Sequence, residues 1–362
     1  MGGSGTANMG SGADATATDA AATGADATDD AASAMDALPL DGAGGGQDAP
    51  AAADAGQWLV WNALKNPILQ VNGWSTKDVA VTYAGGVYYF YYSAFYSDNG
   101  QERSHVAMSS SVDLKTFAPA RILFDGMNAG WIGMCSPDLD VINGQHVMTF
   151  NSWGDLAGKP NQLFYSTSAD LVTWSPMKPL AANLTAGDRS IDATTTTANG
   201  RVYLFWKDGA GNPRAAAAPS LDGPWSFAGN GSPTLLMRGS GDNGRTHENY
   251  QMLSVDGHFR LLTTDYPPQQ PFLYEMTGPG TADNDWLSWQ NGYDVAPLIA
   301  KESFNTVDVA NAAYLTDWRT YDGYFYLWYA GNTEKSTHAG RGDNTIGVSR
   351  SKDLMTWAAA GH

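Results

Sequence analysis

The sequence predicts an all-β chain folded as a five-bladed β-propeller, preceded by a disordered low-complexity tail. Three observations predict it. Aromatic residues make up 12% and glycines number 41, a composition that favours strands and tight turns over helices. Acid-led segments recur at Asp78, Asp138, Asp192, Glu248 and, less clearly, Asp308, at spacings of 60, 54, 56 and 60 residues. Each is followed by a turn containing glycine and a second apolar strand. Five units of this length, each with room for four short strands, describe blades around one axis.

Residues 1–56 are rich in Ala, Asp, Gly and Thr and hold nine Asp with no Lys, Arg or Glu. Such a segment buries too little apolar surface to offset chain entropy, so disorder is expected there. A tether to a cell-surface anchor and a merely solubilising tail are both consistent with it. Residues 57–362 form the expected propeller domain, with order beginning near Trp58.

Within that domain the turns are Gly85-Gly86, Asn143-Gly144, Asn199-Gly200, Asp256-Gly257 and Asp322-Gly323. Asn-Gly and Asp-Gly accept the positive φ angles of two-residue hairpins. The strands that follow them are Val87–Tyr92, His146–Phe150, Val202–Trp206, His258–Leu262 and Tyr324–Tyr329. Three units close on a shared signature, starting at Ser111, Ser168 and Ser351 and reading Ser-x-Asp-Leu-x-Thr-Phe/Trp.

The net charge of −17 argues against nucleic acid or an anionic membrane as partner. A single cysteine, Cys135, excludes an internal disulfide, and no apolar run reaches the ~18–20 residues of a membrane span. No signal peptide is visible at Met1. A monomer is expected, placed outside the cytoplasm as a secreted, cell-surface or periplasmic protein.

The innermost strand of each propeller blade lines the axis, so residues at equivalent blade positions converge. Asp78, Asp192 and Glu248 would then share one funnel, where mutual repulsion raises at least one pKa. A general acid beside a general base is what glycosidic bond cleavage requires.

Here the residues resemble a family. Lys77-Asp78-Val79, Ser190-Ile191-Asp192-Ala193 and His247-Glu248-Asn249, in that order, are similar to the blade motifs of glycoside hydrolase families 43 and 62. Cys135-Ser-Pro-Asp138-Leu resembles their second-blade Ala-Pro-Asp motif, and Ser351–Trp357 their blade ending. The resemblance spans roughly Trp58 to the C-terminus. It implies a five-bladed propeller that hydrolyses arabinofuranosyl or xylosyl linkages of a plant or algal saccharide. It also implies roles: Asp78 as general base, Glu248 as general acid, and Asp192 as the group that holds the acid and raises its pKa. Inversion requires the Asp78 and Glu248 carboxyls to lie roughly 6.5–9.5 Å apart, against about 5 Å for retention. Val79, Ala193 and Asn249 depart from the family's usual followers and put the substrate in question.

Further substrate contacts are expected from Trp74, Phe95 and Trp131, which could stack on a sugar, or could be packing residues. Asp138 either binds hydroxyls or anchors the turn after Pro137. His247 is expected behind Glu248, since neighbouring strand residues face opposite ways. Arg319 or Arg245 could bring a positive charge to the pocket. No cofactor is expected to be required. A structural calcium at the axis, assisted by His338, is implied only by the resemblance. The competing reading is a non-catalytic carbohydrate-binding propeller, with its acids splayed or paired off.

Overall fold

The computed structural model describes residues 58–154, 156–239, 246–266, 270–333 and 343–361. The expected tail, Arg245 and His338 lie outside them. Four antiparallel strands build each blade, and the innermost strands are Ser75–Ala84, Gly133–Ile142, Ile191–Ala198, Thr246–Val255 and Asp308–Asp317. Second strands follow at Val87–Asp98, Gln145–Trp153, Arg201–Lys207, His258–Tyr266 and Phe325–Asn332. The chain is the predicted five-bladed propeller. The fourth blade carries one extra outer strand, Thr234–Met237, which pairs in parallel with Ser288–Asp294.

Four of the five hairpins turn as the sequence predicts. Asn143 and Gly144 have φ of 52° and 74°, and Asn199 and Gly200 have φ of 50° and 70°. Two successive positive angles match the twist of the flanking strands. The fifth differs: a single helical turn, Arg319–Asp322, precedes Gly323.

The innermost strands pack side by side around the axis, and every junction between blades carries a polar link. Ser136 N donates to Ser93 Oγ at 2.8 Å, and Thr149 Oγ1 to the Ala193 carbonyl at 2.7 Å. Met252 N donates to Thr194 Oγ1 at 3.1 Å. The Gln251 amide exchanges two bonds with the Leu315 backbone, at 2.7 and 2.8 Å. Thr76 N donates to the Asn344 carbonyl at 2.9 Å, joining the last blade to the first. Each such bond is worth about 1 kcal/mol net; the aromatic packing between blades contributes more, and the polar links set the register.

The segment ahead of the first blade helps to close the ring. Leu69 bridges Ile346, while the Asn66 amide bonds Val348 N and O at 2.9 and 3.1 Å. Trp58 then stacks on Tyr321 at 4.2 Å and meets Trp318 edge-on. First and last blades are thus fastened by both backbone and aromatic contact.

Each innermost strand also contains one residue in the left-handed region: Asp78, Ser136, Asp192, Asn249 and Ala312, with φ between 45° and 59°. Strand register slips beside each of them. These are β-bulges, and a bulge re-aims a side chain. They correct the alignment read from the sequence. The five bulges, not the five acids, are the equivalent positions. Glu248 precedes its bulge by one residue, Asp138 follows its own by two, and Asp308 lies four ahead and binds Asn332 Nδ2 at 2.6 Å.

Candidate active site

All five bulge residues line a narrow axial channel of about 20 Å³, together with Asp138, Tyr250 and Tyr314. A space of that size admits about one water molecule. Asp78 and Asp192 are 6% and 5% exposed, and the more exposed Glu248 carboxylate is near enough for its charge to act on Asp192.

Three carboxylates from three blades face one another. Asp192 shows the consequence: burial first, then the charges of Glu248 and Asp78, push its carboxyl up to about 6, against relief from Lys207 and Ser136.

Two lysines answer the acids. Lys207 Nζ lies 2.8 Å from Glu248 Oε2, and Lys77 Nζ lies 3.6 Å from Asp78 Oδ1. Burial alone would depress the Lys77 ammonium, but Asp78, Glu248, Asp192 and Cys135 outweigh it and raise its pKa. The Lys77 ammonium is thus favoured in its charged form beside the acids. Lys207 ends the strand Arg201–Lys207 directly after its apolar run Val202–Trp206, and that polar ending is the signal that could have found it.

Asn249 was also missed. It occupies the fourth-blade bulge, and its Nδ2 donates to Asp78 Oδ1 at 3.1 Å. The base candidate is thus held from across the axis by an amide, which leaves its other oxygen for a water. Asn151 performs a similar service in the backbone, its Oδ1 accepting from Asp192 N at 2.8 Å.

His247 points away from this cluster. It is 4% exposed, and its Nδ1 faces Asp265 Oδ1 at 2.5 Å. That carboxylate places the proton on Nδ1, making His247 a support for the strand that carries Glu248. Tyr250 adds a hydroxyl donating to the His247 carbonyl at 3.0 Å. Burial, followed by Asp192 and Glu248, keeps that phenol firmly neutral.

Trp74 is half-buried and Phe95 buried, and both line a cleft of about 530 Å³ beside the start of the first innermost strand. Trp131 is placed differently. It is 8% exposed, packs among the core residues of the first two blades, and is covered by the Lys159 ammonium at 4.0 Å. Asp138 lines the channel below the bulges, where burial holds its carboxyl well above the usual range.

Arg319 is a correction. It forms ion pairs with Asp256 and Asp317 at 2.9 and 2.6 Å. Those partners lie at the C-terminal ends of the innermost strands, the opposite end from the acids. Two carboxylates hold it there, so it brings no charge to the cluster. Among the described residues no three His, Cys, Asp or Glu side chains gather as a metal ion would need.

Residues 64–222 match the family model of glycosyl hydrolases family 43. Over that stretch the chain is similar to family 43 glycoside hydrolases. Its structural neighbours share the fold at low identity. A thermostable family 43 glycoside hydrolase superposes with a TM-score of 0.56 at 17% identity, covering 82% of this chain and 96% of that one. A family 43 β-xylosidase/α-arabinofuranosidase from a compost microbial metagenome gives 0.54 at 14% identity, covering 80% and 95%. A glycosyl hydrolase from Bacteroides ovatus gives 0.57 at 16% identity, covering 82% and 93%. No curated protein matches the chain. No helix among the described residues is long and apolar enough to cross a membrane.

Proposed function

We propose that this hydrolase cleaves arabinofuranosyl or xylosyl linkages of a plant or algal saccharide outside the cytoplasm, with inversion. The observation that carries the reading is the convergence of Asp78, Asp192 and Glu248 on one axial mouth, with Asp192 pushed up to about 6. Asp78, held by Asn249, takes the proton of a water that attacks the anomeric carbon. Glu248 gives its proton to the leaving oxygen. Asp192 shares that proton near neutral pH and, once ionised, favours its return to Glu248. Lys207 holds the Glu248 carboxylate between turnovers and is displaced as the acid is reprotonated. This division of labour requires the Asp78 and Glu248 carboxyls to stand apart by about a water's width more than in a retaining enzyme. The pentose preference is supported by the activity of the compost neighbour, a β-xylosidase/α-arabinofuranosidase.

A panel of aryl glycosides, tested on wild type and Glu248→Gln, checks it. Hydrolysis of a pentoside with at least 100-fold loss in the variant is expected, the scale of a removed general acid. Activity on none of them, or activity untouched by the substitution, would instead indicate a carbohydrate-binding propeller whose acids the lysines have paired off.

A further inference from the structure

The propeller axis continues beyond the bulges. Under the narrow channel lies a second cavity of about 150 Å³, walled by the far halves of the innermost strands, at the end opposite the acids. Gln251 and Tyr314 line both spaces, so one wall runs from the catalytic cluster to the far cavity. Asp138 stands in the channel and Asp140 in the cavity. Past its bulge this strand pairs regularly, Asp138 with Thr149 and Asp140 with Val147. The two side chains therefore share one face, roughly 7 Å apart along the strand, close to the reach of one bridging water.

Asp138 Oδ1 and Asp140 Oδ2 are both covered and have no hydrogen-bond partner among the described residues. Asp140 Oδ1 accepts from Val141 N at 2.7 Å, and the residue as a whole is half-buried. A bare ionised oxygen is unfavourable in such a setting. Burial accordingly pushes the Asp140 carboxyl up to about 7 and holds Asp138 well above its usual range. The titratable groups that face this pair are Asp78 and Asp192 above, Tyr314 on the fifth innermost strand and Asp317 at its end. Tyr314 is kept neutral by burial, then by Asp138 and Asp140, and donates its hydroxyl to the Leu139 carbonyl at 3.2 Å. Asp317 is held by Arg319 at 2.6 Å. Two carboxyls able to hold and release a proton thus stand in line between the catalytic acids and the far face.

We infer that Asp138 and Asp140 form a proton route that clears Asp78 through the far face of the propeller while product still covers the mouth. The inference rests on the proposed glycosidase reading. Each inverting turnover leaves a water's proton on Asp78 and takes one from Glu248. Asp78 returns its proton to a water in the channel, which gives one of its own to Asp138. Asp138 passes its proton on to Asp140 in the same way, and Asp140 releases one into the cavity. Every O–H bond broken is matched by one formed, so both relay carboxyls end as they began. Glu248 recovers its proton from solvent at the mouth.

Asp140→Asn tests the route, because it keeps the side chain's size and removes its exchangeable proton. On the glycoside that wild type cleaves, kcat should fall roughly 10-fold with kcat/KM within about twofold, since proton release follows bond cleavage. Imidazole added to the variant should restore kcat as its concentration rises, and should leave wild type unchanged. Damaged packing would not respond to a soluble proton carrier. Asp140→Glu, which keeps a proton to pass on, should retain most of kcat. An unchanged kcat, equal losses in kcat and kcat/KM, or no response to imidazole overturns the route. If Asp140→Asn fails to fold by thermal melt, Asp138→Asn takes its place, with the same split and the same rescue expected. If no glycoside is hydrolysed, the glycosidase reading fails separately, and carboxyl carbon-13 NMR of the full chain decides. An Asp140 signal that titrates near neutral pH supports its place in a relay; one still fully ionised below neutral pH overturns it.

Discussion

Aspartates recur in two regions of this propeller, at the axial bulges and at the blade-closing turns, and the two sets behave oppositely. In the turns, Asp170 Oδ1 accepts from Val172 N and Thr173 N at 2.9 and 2.6 Å, while Ser168 Oγ accepts from Leu171 N at 2.9 Å. Asp113 and Asp353 repeat the pattern after Ser111 and Ser351. Backbone N–H groups hold the Asp170 and Asp353 carboxyls down to about 2 in solvent. At the axis, Asp192 is buried among like charges and pushed up to about 6. Both settings also force a non-glycine residue into the left-handed region, Leu171 at 61° and Asp192 at 59°. In the turn that strain buries a leucine; at the bulge it aims a carboxylate down the axis. Residue type and repetition are shared, and solvation decides which set has chemistry.

The largest expected effect separates the regions by activity. Asp78→Asn should lower kcat by 10²–10⁴-fold, the range for a removed general base. Asp170→Asn at the rim should leave the rate within about twofold while lowering the melting temperature. Steady-state kinetics and a thermal melt on the same samples read both. Equal losses in activity would erase the distinction.

Next is the pH dependence of stability, where the two regions carry opposite signs. Asp192 sits near 6 when folded, above its usual 3.8, so the folded state holds the proton more tightly between those values. Stability therefore falls as pH rises through that window and stays lower above it. A two-unit shift is worth about 3 kcal/mol, a noticeable part of a typical 5–15 kcal/mol total. Asp192→Asn should be inactive yet more stable than wild type above pH 6, with no gain at pH 4. Asp170 is held near 2, so its contribution is present above the usual carboxylate range and disappears as pH falls toward 2. Urea melts across pH would show the first variant gaining and Asp170→Asn losing.

A smaller effect belongs to Asn249. Removing its bond to Asp78 with Asn249→Ala should lower kcat about 10-fold, near 1.4 kcal/mol for a hydrogen bond to a charged group, with KM little changed. An unchanged kcat would mean that the bond does not position Asp78.

Much of the fold was legible in the sequence, because the turn residues are chemically specific. Asn143-Gly144 and Asn199-Gly200 can do little else, and the Ser-x-Asp-Leu endings are self-contained hydrogen-bond motifs. The bulges were not legible. Asp78, Ser136, Asp192, Asn249 and Ala312 share a backbone conformation but no side-chain chemistry, so matching acids slipped the fourth blade by one residue and the second by two. Lys207 was hidden because its partner Glu248 is 41 residues away across a blade junction. Arg319 misled because sequence order does not say which end of a hairpin faces the acids. Asp256 and Asp317 settle that only in three dimensions.

The measurement that bears most directly on the acid and base assigned across the axis is the anomeric form of the first sugar released. Proton NMR during the opening minutes of hydrolysis, before mutarotation, reads it. The proposed pairing of Asp78 as base with Glu248 as acid predicts the inverted anomer. Release of the retained anomer would contradict the base role of Asp78.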